Sequence, residues 1–222
     1  MPDEKAAHWQ RTYAERGAEE LSWTEPVPDT SLTLIEEAAL PLAAPILDVG
    51  GGASRLAAEL LRRGHSDVTV ADISAEALER AKAELGSAAG EVTWVEADVR
   101  IHDFGRRFDL WHDRAVFHFM VAAADRDGYL AVLDRTLRPG GHLILATFGP
   151  DGPSECSGLP VSRYDAEAIS QTLGTDFELV SSQLKEHRTP SGRAQQFLYV
   201  HLRRRAAAAR GLGQVVTGAI LR

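Results

Sequence analysis

Along the chain, short apolar runs of strand length alternate with stretches in which apolar residues recur every three or four positions. That alternation predicts a parallel sheet covered by helices. Ile46-Leu47-Asp48-Val49 reads as the first strand and is stopped by Gly50-Gly51-Gly52. A helix follows with Leu56, Leu60 and Leu61 on one stripe, ending near Gly64. Val68 to Ala71 predicts the second strand, after which Ser74 caps a helix that turns Ala77, Leu78, Ala81 and Leu85 inward. Val92 to Val95 and Phe108 to His112 predict two further strands. A helix through Tyr129 to Leu133 then leads to a turn at Arg138-Pro139-Gly140-Gly141 and a fifth strand, His142 to Phe148. A long irregular segment, Gly149 to Arg163, precedes a helix at about 165–173. Glu178 to Glu186 and Gln195 to Arg203, joined by the turn signal Thr189-Pro190-Ser191-Gly192, predict an antiparallel hairpin.

Two segments fall outside this core. Residues 1–42 read as a helical cap, with Trp9, Tyr13, Trp23, Leu32 and Ile35 expected to pack onto the sheet's ligand edge. Residues 206–222 read as a tail, leaving 43–205 as the main domain. Composition adds limits. With 222 residues, 44% hydrophobic and 25% charged, the chain is the size and make-up of one globular α/β domain. The single cysteine, Cys156, cannot form an internal disulfide. No stretch approaches the roughly 20 apolar residues that span a bilayer, and the polar N-terminus lacks a signal-peptide core, so a cytoplasmic protein without a membrane partner is expected. A net charge of -8 works against a nucleic-acid partner, whose phosphates call for Lys and Arg.

In open parallel sheets, ligands bind past the carboxyl ends of the strands, where the strand order reverses. The informative residues follow the strands. Asp48 to Ser54 is a glycine turn opening a helix, where backbone approaches a ligand closely and free N–H groups face it. Asp72 ends the second strand, placed for a carboxylate to accept both ribose hydroxyls of a nucleoside. Asp98 follows the third strand, placed to meet an adenine edge. Three acids after three successive strands define a nucleoside site. A dinucleotide fingerprint needs glycines at its first, third and sixth positions, but here they are Gly50, Gly52 and Arg55. The acidic Asp48 suits a cationic ligand better than a pyrophosphate. The balance favours S-adenosylmethionine over NAD or FAD.

At these residues the chain resembles the class I S-adenosylmethionine-dependent methyltransferases. Asp48 to Gly52 is similar to the first motif, with Ser54 where many members carry a third glycine. Val70-Ala71-Asp72-Ile73-Ser74 resembles the ribose motif, Glu96-Ala97-Asp98 the adenine motif, and Leu137 to Gly141 the turn before the fifth strand. The resemblance covers about residues 45–203. It implies a Rossmann-like sheet of order 3-2-1-4-5-7-6 with the last strand antiparallel and helices on both faces. Gly50 to Gly52 would line the methionine part, Asp72 the ribose, and Asp98 with the Val99 backbone the adenine. Gly52-Ala53-Ser54-Arg55-Leu56, with Trp9, Tyr13 and Trp23, is similar to the elongation-factor and citrate-synthase lysine methyltransferases. Asp113-Arg114-Ala115 resembles both that group and the thiopurine S-methyltransferase-like enzymes of small thiols. The cofactor set is Trp9, Trp23, Asp48, Gly50, Gly51, Gly52, Ser54, Arg55, Asp72, Ile73, Asp98, Val99 and Asp113.

His112, Asp113, Arg114 and His118 lie where the family places its methyl acceptor. His112 and His118 are candidate catalytic groups with Asp113, His112 as a general base, since a histidine titrates near neutrality. Arg114, Phe117, Arg163 and Tyr164 are candidate substrate contacts, the last two in the 149–163 connection and just beyond it, a segment long enough to act as a lid. A zinc site from His112 and His118 is not expected, because no further ligand has suitable spacing. The expected activity is methyl transfer to a small molecule by in-line displacement. Protein-lysine N-methylation is the alternative, and a binding domain without turnover the third reading.

Overall fold

The computed structural model describes residues 2–17 and 20–206. Helices α1 (Pro2–Glu15) and α2 (Asp29–Glu37) precede β1 (Ile46–Val49), α3 (Leu56–Arg62), β2 (Val68–Asp72), α4 (Ala75–Leu85) and β3 (Val92–Glu96). There follow β4 (Phe108–Arg114), α5 (Ala123–Thr136), β5 (Leu137–Phe148) and a two-residue ribbon, β6 (Glu155–Cys156) with β7 (Leu159–Pro160). Helix α6 (Ala166–Leu173) and the hairpin β8 (Phe177–Arg188) and β9 (Ala194–Arg204) complete the described chain. The tail expected over 206–222 lies, but for its first residue, outside the described residues.

The sheet runs β3-β2-β1-β4-β5-β9-β8. Its first five strands are parallel, and β9 runs antiparallel to both β5 and β8. With the small β6–β7 ribbon set aside, this is the expected order 3-2-1-4-5-7-6. Strands β1 and β2 are buried along their whole length, which is why they read as mainly apolar runs. Ser74 caps α4 by accepting the Ala77 N–H, and Asp165 caps α6 by accepting that of Ala168. The expected turn at Arg138 to Gly141 is absorbed into β5 as an irregularity: pairing jumps from Phe108–Leu137 to Leu110–His142, with Gly140 at φ +83°. Among the described residues, no helix is long and apolar enough to cross a membrane.

The N-terminal segment divides in two. Leu32 and Ile35 do not reach the ligand edge as expected; they pack with Ile46, Leu56, Leu60 and Val68, so α2 is one of the helices covering the sheet. Helix α1 instead lies against α4. Its residues Trp9 and Tyr13 join Leu21, Trp23 and Ala77 in a separate cluster.

On the sheet's other face a polar line runs through the core. Trp111 Nε1 donates to the Tyr129 hydroxyl (2.9 Å), which donates to Asp113 Oδ2 (2.6 Å). Asp113 also accepts from the backbone N–H groups of Val116 (2.9 Å) and Phe117 (3.1 Å to Oδ2). It thereby holds the single turn Phe117–Phe119. Burial pushes its carboxyl up to about 6 despite those donors. Tyr129→Phe, which strands Trp111 Nε1 and leaves Asp113 Oδ2 only the Phe117 N–H, is expected to lower unfolding free energy by about 1–3 kcal/mol in urea titrations.

Candidate active site

The strand order reverses between β1 and β4, and a crevice opens past their carboxyl ends. There the chain leaves β1 through Gly50 at φ +65°, where a Cβ would lie 2.0 Å from Val116 Cγ2. A Cβ on Gly52 would lie 2.6 Å from Asp72 Oδ2. Only glycine lets the turn lie flat between Val116 and the β2 carboxylate. Asp72 Oδ1 accepts the Ser74 N–H at 2.9 Å. Burial, and then the nearby charge of Asp48, push the Asp72 carboxyl up to about 7, against the pull of backbone donors at Ser74, Gly52 and Ile73.

Two hollows meet here. The larger, about 830 Å³ with its open mouth, runs from Asp72, Ile73, Asp98 and Val99 to a wall of Val116, Phe119, Met120 and Cys156. The second, about 580 Å³, reaches Glu25, Ser31, Asp48, Gly51, Ser54 and His112. Both are bounded by Tyr13, Trp23, Val49, Gly50 and Arg114.

The roof is aromatic. Trp9 meets Phe119 (5.1 Å) and Trp23 (5.7 Å) edge to face, and Tyr13 meets Trp23 at 6.0 Å. Polar tethers hold α1 in place: Lys5 Nζ lies 2.8 Å from Asp125 Oδ2, and Gln10 Oε1 accepts from Ser74 Oγ at 3.1 Å and from the Glu76 N–H at 3.2 Å. The segment carrying Trp23 is tied by Arg114. Its Nη1 donates to the Trp23 carbonyl (2.8 Å), its Nε to the Tyr199 hydroxyl (3.0 Å), and its Nη2 lies 3.0 Å from Glu25 Oε1. The guanidinium also sits 4.7 Å over the Phe197 ring.

Of the sequence-derived set, Trp9, Trp23, Asp48, Gly50, Gly51, Ser54, Asp72, Ile73, Asp98, Val99, His112 and Arg114 line the joined hollows, with Gly52 behind Asp72. Their chemistry differs in places from expectation. Both oxygens of Asp98 are held by Arg100 (2.9 Å from Nε to Oδ1, 2.5 Å from Nη2 to Oδ2), so the acid faces the cleft already paired. His112 offers no free nitrogen for a general base: Nδ1 lies 2.7 Å from Asp48 Oδ1 and Nε2 2.8 Å from Ser31 Oγ. Asp113, cast for catalysis and the cofactor, points to the opposite face and caps the 117–119 turn.

His118 is fully buried, accepts the Phe148 N–H at 3.4 Å, and is pushed down to about 3 by burial and then by Arg114, so it stays neutral within the fold. Phe117 and Tyr164 are core residues, their rings 5.6 Å apart. Arg163 reaches back to the Gly152 carbonyl (3.4 Å), and Arg55 turns outward to Glu84 (2.6 Å). The connection expected to be irregular carries the β6–β7 ribbon, whose Cys156 forms part of the cleft wall.

Sequence reasoning missed Lys5, Glu25, Ser31 and Arg100. Glu25 and Ser31 meet their partners across 89 and 81 positions, a pairing that no local spacing announces. Arg100 sits two residues from Asp98, a spacing that could have suggested the pair.

The residues suit S-adenosylmethionine. Asp48 Oδ2 is buried and has no hydrogen-bond partner among the described residues, an anion left open beside the glycine turn. An open parallel sheet with a glycine turn and strand-end carboxylates at its reversal point is the Rossmann-like arrangement that S-adenosylmethionine-dependent methyltransferases share. Residues 46–141 match the family described as methyltransferase domain. An O-methyltransferase, cnsE, from Penicillium expansum is 33% identical over 131 residues, which cover 58% of this chain and 46% of that protein. The 1,6-didemethyltoxoflavin-N1-methyltransferase of Burkholderia thailandensis, solved with S-adenosylhomocysteine, shares the fold at TM-score 0.66 and 23% identity, over 92% of this chain and 91% of that one. A methyltransferase from Anabaena variabilis superposes at TM-score 0.71 with 18% identity, over 92% and 95% of the two chains. The chain spans less than half the length of the curated relatives it matches.

Arg114→Ala strands Glu25 and frees the Trp23 carbonyl. It is expected to cost roughly 3 kcal/mol in chemical denaturation and to shift tryptophan emission to the red as Trp23 gains solvent.

Proposed function

We propose that this chain transfers the methyl group of S-adenosylmethionine to a small-molecule acceptor seated beneath the aromatic roof. The observation that carries the reading is the form of the larger hollow. It begins at the Asp72 carboxylate and ends among Trp9, Trp23, Val116, Phe119 and Met120, an apolar recess roofed by α1. The names of the relatives from Penicillium expansum and Burkholderia thailandensis support a methyltransferase, and the second a small-molecule acceptor.

Asp48 Oδ2 would take the ammonium, the Gly50–Gly52 backbone would pass along the methionine part, and Asp72 would accept the ribose hydroxyls. Val99 and Ile73 would flank the adenine. Bound there, S-adenosylmethionine supplies a methyl group activated by its sulfonium. The chain contributes position and dryness. Trp9, Tyr13 and Trp23 exclude water, and their ring faces favour a cation beneath them. With His112 and His118 both engaged or buried, neither removes a proton from the acceptor.

Turnover is tested by S-adenosylhomocysteine release in the presence of small aromatic thiols, amines and hydroxyl compounds, with basic peptides as a separate arm. Stimulation by small molecules is expected; stimulation by lysine peptides alone would overturn the acceptor class. The Asp72 carboxyl gives a second check. Only the ionised carboxyl accepts with both oxygens from the two ribose hydroxyls, so below about 7 binding is coupled to loss of a proton. Affinity for S-adenosylhomocysteine by calorimetry should fall with pH below that point, by up to ~10-fold per unit, and level off above it. Asp72→Asn should abolish this dependence along with most of the affinity.

A further inference from the structure

Three polar side chains from separate elements form a continuous hydrogen-bonded line in the wall of the second hollow. Ser31 on α2 lies 2.8 Å from His112 Nε2 on β4, and His112 Nδ1 lies 2.7 Å from Asp48 Oδ1 on β1. Ser31, His112 and Asp48 are 0%, 3% and 2% exposed. A carboxylate oxygen only accepts, so Nδ1 carries the ring proton; in the neutral ring Nε2 then accepts from the Ser31 hydroxyl. The Asp48 contact requires the proton on Nδ1, and the ring is held from both ends.

This line satisfies one carboxylate oxygen and leaves the other bare. Asp48 Oδ2 is buried without a hydrogen-bond partner among the described residues, against Gly51, whose Cβ would fall 2.4 Å from it. A purely structural arrangement has no use for such an atom, since apolar side chains of similar volume would fill the space without stranding a carboxylate.

We infer that His112 and Ser31 are positioning residues for the amino-acid end of the cofactor. His112 fixes the Asp48 rotamer through Oδ1 so that Oδ2 faces the ammonium, and Ser31 holds the ring that does so. The inference rests on the reading of the cleft as an S-adenosylmethionine site and goes beyond it in assigning the support to α2.

Calorimetry with two ligands separates positioning from general support of the fold. S-adenosylhomocysteine carries the ammonium; 5′-deoxy-5′-methylthioadenosine keeps the nucleoside and sulfur without it. His112→Leu is expected to weaken S-adenosylhomocysteine by roughly 10- to 100-fold and to change the ammonium-free ligand by less than about twofold. His112→Asn, whose amide N–H replaces the Nδ1 donor, should restore most of the loss. Ser31→Ala should lose affinity in the same selective sense, by a smaller factor. Equal losses for both ligands, or no loss for S-adenosylhomocysteine, would overturn the inference. If His112→Leu does not fold by circular dichroism, Ser31→Ala decides by the same criterion. Failure of the unaltered protein to bind either ligand would instead sink the reading of the cleft, and this inference with it.

Discussion

Arg114 is a permanently charged group at the end of a central strand, and the closed cleft depends on how that charge is satisfied. Its side chain is 11% exposed, so water supplies little of what a guanidinium needs. The acceptors come from elsewhere: the Trp23 carbonyl and Glu25 from the N-terminal segment, the Tyr199 hydroxyl from β9. Burying the cation therefore obliges residues 21–25 to fold across the carboxyl edge of the sheet. His187 adds a second tether from β8 by donating to the Ser22 carbonyl at 2.7 Å. With the segment pinned, Trp23 has one place to go, and Trp9 and Tyr13 stack around it. Apolar burial fills the roof, but the charge decides where it closes.

The same strand end shows how period-two alternation distributes work. Side chains at successive strand positions face opposite sides of the sheet. His112 faces α2 and the glycine turn and is bound to Asp48 and Ser31; Asp113 faces α5 and is bound to Tyr129. A one-residue slip of β4 would put the acid beside Asp48 and the imidazole beside Tyr129, breaking both networks. Register against β1 is held by the pairs Asp48–His112 and Val49–Asp113.

The centre of the sheet was legible because β1 and β2 are buried along their whole length and read as mainly apolar runs between turn residues. Asp72 and the Gly50–Gly52 turn were legible for a similar reason: strand ends in such sheets are where ligands meet backbone. Asp113, Phe117 and Tyr164 were misplaced because distance along the chain from the strand end says nothing of which face a side chain takes. His112 lies at the second hollow, but its partners Asp48 and Ser31, 64 and 81 positions away, could not be read from local spacing. Glu25 was invisible for the same cause. Local chemistry marks a site's floor; long-range pairing builds its walls and sets the state of its groups.

The electrostatics of the floor connect the fold to its choice of ligand. Asp48 and Asp72 converge from neighbouring parallel strands on one glycine turn, and the charge of Asp48 helps raise the Asp72 carboxyl to about 7. Burial and that neighbouring charge disfavour the ionised form of Asp72. A pyrophosphate would add charge of the same sign to that repulsion and would find no cation facing it from the turn. The proposed ligand, with an ammonium beside Asp48 and a sulfonium farther along, would relieve it. On the proposed reading, the charge that Asp48 sets against Asp72 favours a cationic nucleoside over an anionic dinucleotide.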